Sequence, residues 1–434
     1  MHFKEKFLYH IWDAQHIVDK LKTISGKEIK IMFQGRWNTD AGADFKDAII
    51  EIDGDVKRGD VEIHLKSYDW TSHNHNEDSN FNTVTLHVVY EHNGQYTHTI
   101  SESGEKIEIL EIKDKLNKDI SKLLKQYAEK PFKGKERSCK LFKNTDIVSM
   151  EKMLLKFGLE RFEKKIKRFT AEHYFADFDQ LLLQGLFEAL GYSKNKYQML
   201  QLALRFPFSK LKEFYRNGIT HDELIAVWLC STDLINHLPS TFPTELKTKW
   251  QQIYLKQDFQ KEPIDAGWKL FRIRPVNHPA IRLLQVSELI YKSLDTSLFN
   301  AILRLFSFNA DKFNLKDFRK NLYAFFQSSF EFLPERYTLG KTRIDTILVN
   351  IILPHVVIYA REKEYIELEK AIMQVYLKYP ALPSNFITQY MENFMDDIQK
   401  KISKKKAIYQ QGLLKLYYDN CRHHACEVCE RETG

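Results

Sequence analysis

The stretch 31-IMFQGRWNTDAGADFKDAIIEIDGDVKRGDVEIHLKSYDWTSHNHNEDSNFNTVTLHVVY-90 decides how the N-terminal part of this chain folds. Apolar and polar residues alternate over 45–52, 60–66 and 83–90, the period of half-buried β-strands. Gly35, Gly42, Gly54 and Gly59 punctuate the alternation as turns. Within 60–66, Glu62, His64 and Lys66 share one strand face, and Val61, Ile63 and Leu65 share the other. Asp44, Glu62, His64, His73, His75, Asp78 and His87 thereby crowd into one short segment. Carboxylates and imidazoles at that density suit a metal-assisted active site and exceed what a solvated sheet face needs.

Working outward, residues 4–24 carry Phe7, Leu8, Ile11, Trp12, Ile17, Val18 and Leu21 at helical spacing, with Gly26 as the stop. A strand over 29–33 follows. A last strand pair is expected around 96–112, with Asn93-Gly94 as a hairpin signal. Residues 1–114 therefore read as an α/β domain, and the lysine-rich 115–145 as a helix and linker. From 146 to 418 helical periodicity dominates, cut into elements by prolines such as Pro207, Pro243, Pro275 and Pro354. Residues 419–434 form a Cys/His tail. No fixed-period repeat is present, which argues against a solenoid. The expected class is α+β, a sheet domain followed by a large all-helical domain with a Cys-rich C-terminal tail.

The 434 residues, 43% hydrophobic and 28% charged, have the composition of a soluble globular protein with room for two or three domains. The opening MHFKEKFLYHIWDAQ lacks the apolar core and cleavage site of a secretory signal. The apolar run 347–360 is broken by Asn350, Pro354 and His355. No membrane association and a cytoplasmic location are expected. Residues 1–130 hold 18 Lys and Arg against 23 Asp and Glu, while the rest hold 47 against 35. An acidic front suits a cation site, and a basic rear suits a polyanion such as DNA or RNA. Phosphate-loop, dinucleotide-fingerprint and nucleophile-elbow motifs are missing. The sequence leaves the oligomeric state open.

Two overlapping metal sites are expected in the sheet. Asp44 and Glu62, from neighbouring strands, are the minimum for holding Mg²⁺ or Mn²⁺, with His64 as the base that takes a proton from water. His73 and His75, read as a His-x-His pair on a strand, with His64 and His87 added and Asp78 as a third ligand or as the acceptor that fixes a tautomer, form a set that suits Zn²⁺, Mn²⁺ or Fe²⁺. Both sets can flank one metal. In the helical part Arg272, Arg274 and Arg282 surround an Asn277-His278-Pro279 turn expected to start a helix, with Lys341 and Arg343 as a weaker basic cluster. Arginines at a helix start can bind phosphate, so these five are the expected nucleic-acid contacts. Cys421-x4-Cys426-x2-Cys429, with His423 and His424 between, has spacing suited to tetrahedral Zn²⁺; three thiolates and His424 would complete it. A variant has four thiolates, with Cys139 as the fourth.

Asp44 and Glu62-x-His64, behind an N-terminal helix that carries Glu5 and Asp13, resemble the PD-(D/E)XK nuclease core. That resemblance implies a restriction-endonuclease-like sheet and a metal-dependent phosphodiesterase. The usual Lys is replaced by His64, which can act as a base but is not permanently charged. The chain as a whole resembles the bacterial domain-of-unknown-function family 2851. The carrying blocks are GRWNTDAGADFKDA (35–48), GDVEIHLKSYDWTSHNHNEDSNFNTVTLHVVY (59–90), FEALGYSKNK (187–196), WKLFRIRPVNHPAIRLLQ (268–285), LGKTRIDTILVNIILP (339–354) and CRHHACEVC (421–429). The family's usual A-G-P-D reads Ala41-Gly42-Ala43-Asp44 here, losing the Pro but keeping the Asp. Three functions stay open: a nuclease, a non-catalytic adaptor on a degenerate nuclease-like core, and a His-rich metal hydrolase of a small substrate.

Overall fold

The computed structural model describes residues 3–127, 139–192, 194–256, 267–307, 313–326, 337–423, 426 and 429. The chain is mixed α+β, with an N-terminal mixed sheet followed by a helical region. It divides into two compact units, residues 1–174 with 384–404 and 409–434, and residues 175–383 with 405–408.

The sheet strands are β1 (Leu21–Lys22), β2 (Glu28–Phe33), β3 (Arg36–Trp37), β4 (Phe45–Ile52), β5 (Asp55–Lys66), β6 (Val84–Glu91), β7 (His98–Ile100) and β8 (Lys106–Glu111). Their order is β1-β2-β4-β5-β6-β8-β7, with β3 also on β4. From β1 to β5 neighbours are antiparallel, β5, β6 and β8 run parallel, and β7 is antiparallel to β8. One face buries Phe7, Leu8, Ile11 and Trp12 of α1 (Lys6–Asp13) against Phe45, Ile50, Val61, Ile63, Leu86, Val88 and Leu110. Each such side chain contributes about 1.5–3 kcal/mol, so this face anchors the helix firmly. The opposite face of β5 is covered by its crossover to β6. That crossover holds α2 (Asp69–Ser72) and two 3₁₀ turns, His75–Glu77 and Ser79–Phe81. Trp70 and Phe81 pin it down, packed with Ala43, Val84 and Ile107, and Trp70 Nε1 donates to the Ile100 carbonyl at 3.0 Å.

Four expectations are corrected. The first helix ends at Asp13 rather than near residue 24, because Gln15 takes the left-handed conformation (φ 54°) and the chain then turns back to pair Ile17 with Leu116. His73 and His75 are not on a strand; His73 caps α2 and His75 opens a 3₁₀ turn. Asn93-Gly94 does not make a hairpin: it connects β6 to β7, and the hairpin lies between β7 and β8, where Ser101 and Glu105 bond each other. The sheet's unit also extends beyond 114. After α3 (Ile120–Tyr127) and α4 (Lys140–Asn144), the long helix α5 (Ile147–Glu172) packs Ala171 on Phe33 and Ile49, and Arg36 binds Glu172 at 3.0 Å.

In the second unit, the helix Pro279–Ser293 starts at the expected Asn-His-Pro turn, where His278 Nδ1 accepts from the Ala280 N–H at 3.3 Å. The apolar run 341–362 is long enough to cross a membrane by composition, but 78% of its window is buried in the protein, the pattern of a core helix. It passes through a π segment, Leu348–Ile352. Pro354 sits just after that segment and cannot donate, which loosens the regular ladder there.

Candidate metal centre

Asp44 stands just before β4, where the preceding turn aims its side chain over β5. Its N–H donates to Glu62 Oε2 at 3.0 Å, and its own Oδ2 accepts from the Ile63 N–H at 3.0 Å. These reciprocal bonds hold the two carboxylates side by side. Glu5, at the start of α1, joins them through its charge, and Tyr9 lies one turn on along the same helix. Burial, then the neighbouring Glu62 charge, pushes Asp44 up to about 7. Burial also pushes Glu62 to about 7, against the Asp44 N–H bond and the field of Lys46. Glu5 rises to about 7 through burial and the charges of Asp44, Glu62 and Asp69. Lys46 does not neutralise them, because its ammonium is bonded to Asp60 at 2.7 Å. Among the described residues no Lys or Arg forms an ion pair with these three acids, and a divalent cation with oxygen ligands is what this donor set fits.

Imidazoles border the acids. Asn74 is left-handed (φ 60°), and this bend between α2 and the 3₁₀ turn returns both His73 and His75 over β5. His75 Nε2 lies 3.3 Å from Glu62 Oε1, and His64 Nε2 lies 3.7 Å from the same oxygen. His73 Nδ1 is 3.2 Å from His64 Nε2. One nitrogen from each of His64, His73 and His75 falls within 4.8 Å of the others, close enough to hold a metal ion. The His75 ring stacks on Phe81 with centroids 3.8 Å apart, which fixes its plane. Burial first, then neighbouring histidines, pushes His64 down to about 2 and His87 to about 3; burial also lowers His75. These rings are therefore neutral near pH 7 and offer lone pairs, as metal ligands must.

Behind His64 runs a buried chain. His64 Nδ1 is 2.9 Å from His87 Nε2, and His87 Nδ1 is 2.8 Å from Thr99 Oγ1. When His87 donates from Nδ1 to Thr99, its Nε2 accepts from His64 Nδ1, and His64 Nε2 is left as a lone pair facing the site. The parallel register that sets Glu62 opposite His87 places all three side chains on one face.

The structure separates the other expected residues. Asp78 caps the Ser79–Phe81 turn, accepting from the Asn80 N–H at 2.9 Å, and reaches His75 only through its charge. Lys66 is exposed at the end of β5. Of the two helix acids only Glu5 joins the site; Asp13 pairs with Arg422 at 2.8 Å. Arg272, Arg274 and Lys341 are exposed, whereas Arg282 is 4% exposed and bonds Tyr192, Asn277 and Gln285. Arg343 lies over the Tyr192 ring at 3.4 Å, so these two arginines frame one tyrosine inside the second unit. Cys421, Cys426 and Cys429 are in no disulfide; His424 lies outside the described residues. Tyr9, Thr99, Trp70 and Phe81 escaped the sequence reading, which had no means of pairing positions across strands. His87 lay in the alternating run, and the β5–β6 register was the missing step to its role.

The protein-family model described as protein of unknown function (DUF2851) matches residues 5–383. No curated protein and no solved structure matches the chain.

Proposed function

The chain belongs to the DUF2851 family, and from the geometry of its own site we propose that it is a divalent-metal-dependent phosphodiesterase acting on nucleic acid. The observation that carries this reading is the convergence of Glu5, Asp44, Glu62, His64 and His75 on one patch of the sheet, joined by the reciprocal Asp44–Glu62 bonds. An adaptor on a degenerate core has no need for three acids held together without a cation. A helix, a run of antiparallel strands ending in β4 and β5, a crossover and the parallel strand β6 also support the PD-(D/E)XK resemblance of the sequence.

Glu5, Asp44 and Glu62 would hold Mg²⁺ or Mn²⁺, with His75 beside them. Such an ion supplies polarisation of a phosphate oxygen and an acidified water. The chain's own part is to place the acids and to receive the proton. His64, neutral and aimed at Glu62 through Nε2, is the group that accepts the proton of the attacking water, in the place where the resembled core carries Lys. His87 and Thr99 keep its ring oriented. The helical region, rich in Lys and Arg, would hold the polyanion. The three-histidine group favours a second reading, a hydrolase of small phosphate esters or other small substrates at a softer ion.

The test is Mn²⁺-supported cleavage of single- and double-stranded DNA, RNA and a bis-aryl phosphodiester. Asp44→Asn, Glu62→Gln and His64→Ala should each lower the rate by about 100-fold or more, with circular dichroism unchanged. Turnover of the small ester alone would select the second reading. Cleavage that survives all three changes would remove these residues from the chemistry.

A further inference from the structure

Three stretches far apart in sequence meet around Tyr192 in the second unit. The guanidinium carbon of Arg343 sits 3.4 Å from the centre of the Tyr192 ring, and that of Arg282 sits 5.0 Å from it. Arg282 is 4% exposed and held by neutral acceptors alone. Its Nη1 donates to Gln285 Oε1 at 2.8 Å, and its Nη2 to Asn277 Oδ1 at 2.6 Å and the Tyr192 hydroxyl oxygen at 2.7 Å. Gln285 is fixed in turn, because its Nε2 donates to the Tyr337 carbonyl at 2.6 Å. Arg343 Nη1 reaches only the Ala189 carbonyl, at 3.5 Å. Among the described residues the buried Nε of each arginine has no acceptor.

Two guanidiniums on one ring repel each other, and burying such a charge is costly unless an anion answers it. Among the described residues no Asp or Glu forms an ion pair with either arginine. The acid nearest to Arg343 in sequence, Asp345, is taken up by Arg319, Tyr323 and Tyr379. Elsewhere the chain does answer its packed arginines. Arg319, over the Tyr323 ring, pairs with Asp345 at 3.2 Å, and Arg36 pairs with Asp47 and Glu172. Burial, with the Arg343 charge adding to it, pulls Arg282 down to about 10 against the pull of Tyr192.

The frame around the pair is built rather than incidental. Tyr192 takes the left-handed conformation (φ 54°), which an aromatic residue rarely adopts and which its surroundings must enforce. Next to it, a Cβ on Gly191 would stand 2.2 Å from the Asn195 carbonyl oxygen, and the Asn195 side chain bonds both backbone groups of Lys269. The Tyr192 oxygen accepts from Arg282, and its own O–H has no acceptor among the described residues. A stacked guanidinium keeps its N–H edge for a planar bond to an oxyanion. Arg343 is half-buried, and Lys341 and Arg274 beside these stretches are exposed.

We propose that Tyr192, Arg282 and Arg343 form a binding site for a phosphate group, with the Arg343 guanidinium and the Tyr192 O–H donating to its oxygens and Arg282 supplying charge behind the phenol. Two unanswered cations match the nearly double charge of a phosphate monoester better than the single charge of a phosphodiester. That chemistry is carried by free phosphate or by the phosphorylated end of a nucleic-acid strand. The phosphodiesterase reading bears only on which of the two is carried; the site stands without it.

The full chain carrying Asp44→Asn, kept in chelator so that nothing is cleaved, is titrated with inorganic phosphate by calorimetry and with a labelled 5′-phosphorylated oligonucleotide by anisotropy. Saturable phosphate binding is expected, weakened at least about tenfold in Arg343→Gln and in Tyr192→Phe. Arg216→Gln, which removes an exposed arginine from the helix Phe208–Arg216, should leave it unchanged. Phosphate that displaces the oligonucleotide assigns the site to a strand end; phosphate binding without competition assigns it to free phosphate, and either supports the site. Phosphate should also raise the unfolding midpoint of the parent but not of Arg343→Gln. Should Arg343→Gln fail to fold, Tyr192→Phe decides, since it keeps the ring under Arg343 and removes only the donor. Undiminished phosphate binding in either variant, or no saturable binding below about 10 mM, would overturn the proposal and leave Mn²⁺-supported cleavage by the parent untouched. Phosphate binding in a parent that cleaves nothing would count against the phosphodiesterase reading alone.

Discussion

Asp44, Glu62 and Glu5 are acids whose folded state holds protons that the unfolded chain gives up near pH 4. Their pKa values are raised to about 7, so between pH 4 and 7 the native protein binds more protons than the unfolded one. Their contribution to stability therefore falls as pH rises through that window. His64 and His87 act in the opposite sense: lowered to about 2 and 3, they favour the native state more as pH rises from there to about 6.5. The two sets oppose each other between pH 4 and 6.5, and only the acids still titrate near 7. Metal-free Glu62→Gln should accordingly be more stable than the parent at pH 8, by about 1 kcal/mol or more, with the gain gone at pH 4; urea unfolding at both values reads it. Mn²⁺ binding should tighten as pH rises through 7, with proton release that Glu62→Gln diminishes, as calorimetry in two buffers would show. An affinity independent of pH from 6 to 8 would mean that these acids are not the ligands. His87 tests orientation separately: His87→Phe should weaken Mn²⁺ binding about 10–100-fold, and His87→Gln, which keeps a hydrogen bond to His64, should recover part of it.

At the scale of elements, the site depends on how closely β5 and β6 approach. Gly59 sits on β5 where a Cβ would come within 2.1 Å of the Thr85 methyl and 2.7 Å of the Thr83 carbonyl. Thr83 also holds Asp60, which in turn fixes Lys46 and the Asp47 N–H. Gly59→Ala should pry these strands apart and cost about 2–4 kcal/mol. Adding Thr85→Ser should relieve only part of it, since the carbonyl remains; chemical denaturation of both variants measures the difference. The strands carrying Asp44 and Glu62 were readable from alternation, because half-buried strands write their period into the sequence. The crossover was not. Its residues Trp70, His73, His75 and Phe81 follow no period, and a single left-handed residue, Asn74, decides where both imidazoles point. The first helix was over-read for a related reason: Ile17 and Leu21 continue the helical spacing but are buried as extended chain on the same core.

For the whole molecule, the sheet's unit is discontinuous in sequence, and that is why the expected boundaries at 114, 145 and 418 do not mark it. Residues 384–404 and 409–434 return to the unit that 1–174 begins. Periodicity cannot announce such a return, because each returning helix looks like any other. The contacts do announce it. Gly412 lies so close to α5 that a Cβ would stand 2.3 Å from the Leu154 carbonyl, a backbone approach that no side chain can accommodate without movement. Gln411 accepts from Arg161 at 3.1 Å and from Lys165 at 2.8 Å, and Gln126 donates to the Asp419 carbonyl at 3.5 Å. Removing everything after residue 383 would take the Gly412 backbone away from Leu154 of α5 and leave the Phe142 carbonyl without Gln399. Gly412→Ala should lower the unfolding midpoint of the sheet's unit by several degrees, about 1–3 kcal/mol. A chain ending at 383 should lose protease resistance in 1–174, although every sheet residue and every acid of the candidate site is still present. If that truncated chain kept a protected 1–174 fragment with Mn²⁺ binding intact, the returning segments would be accessory, and the sheet with α1 and α5 would be a domain in its own right.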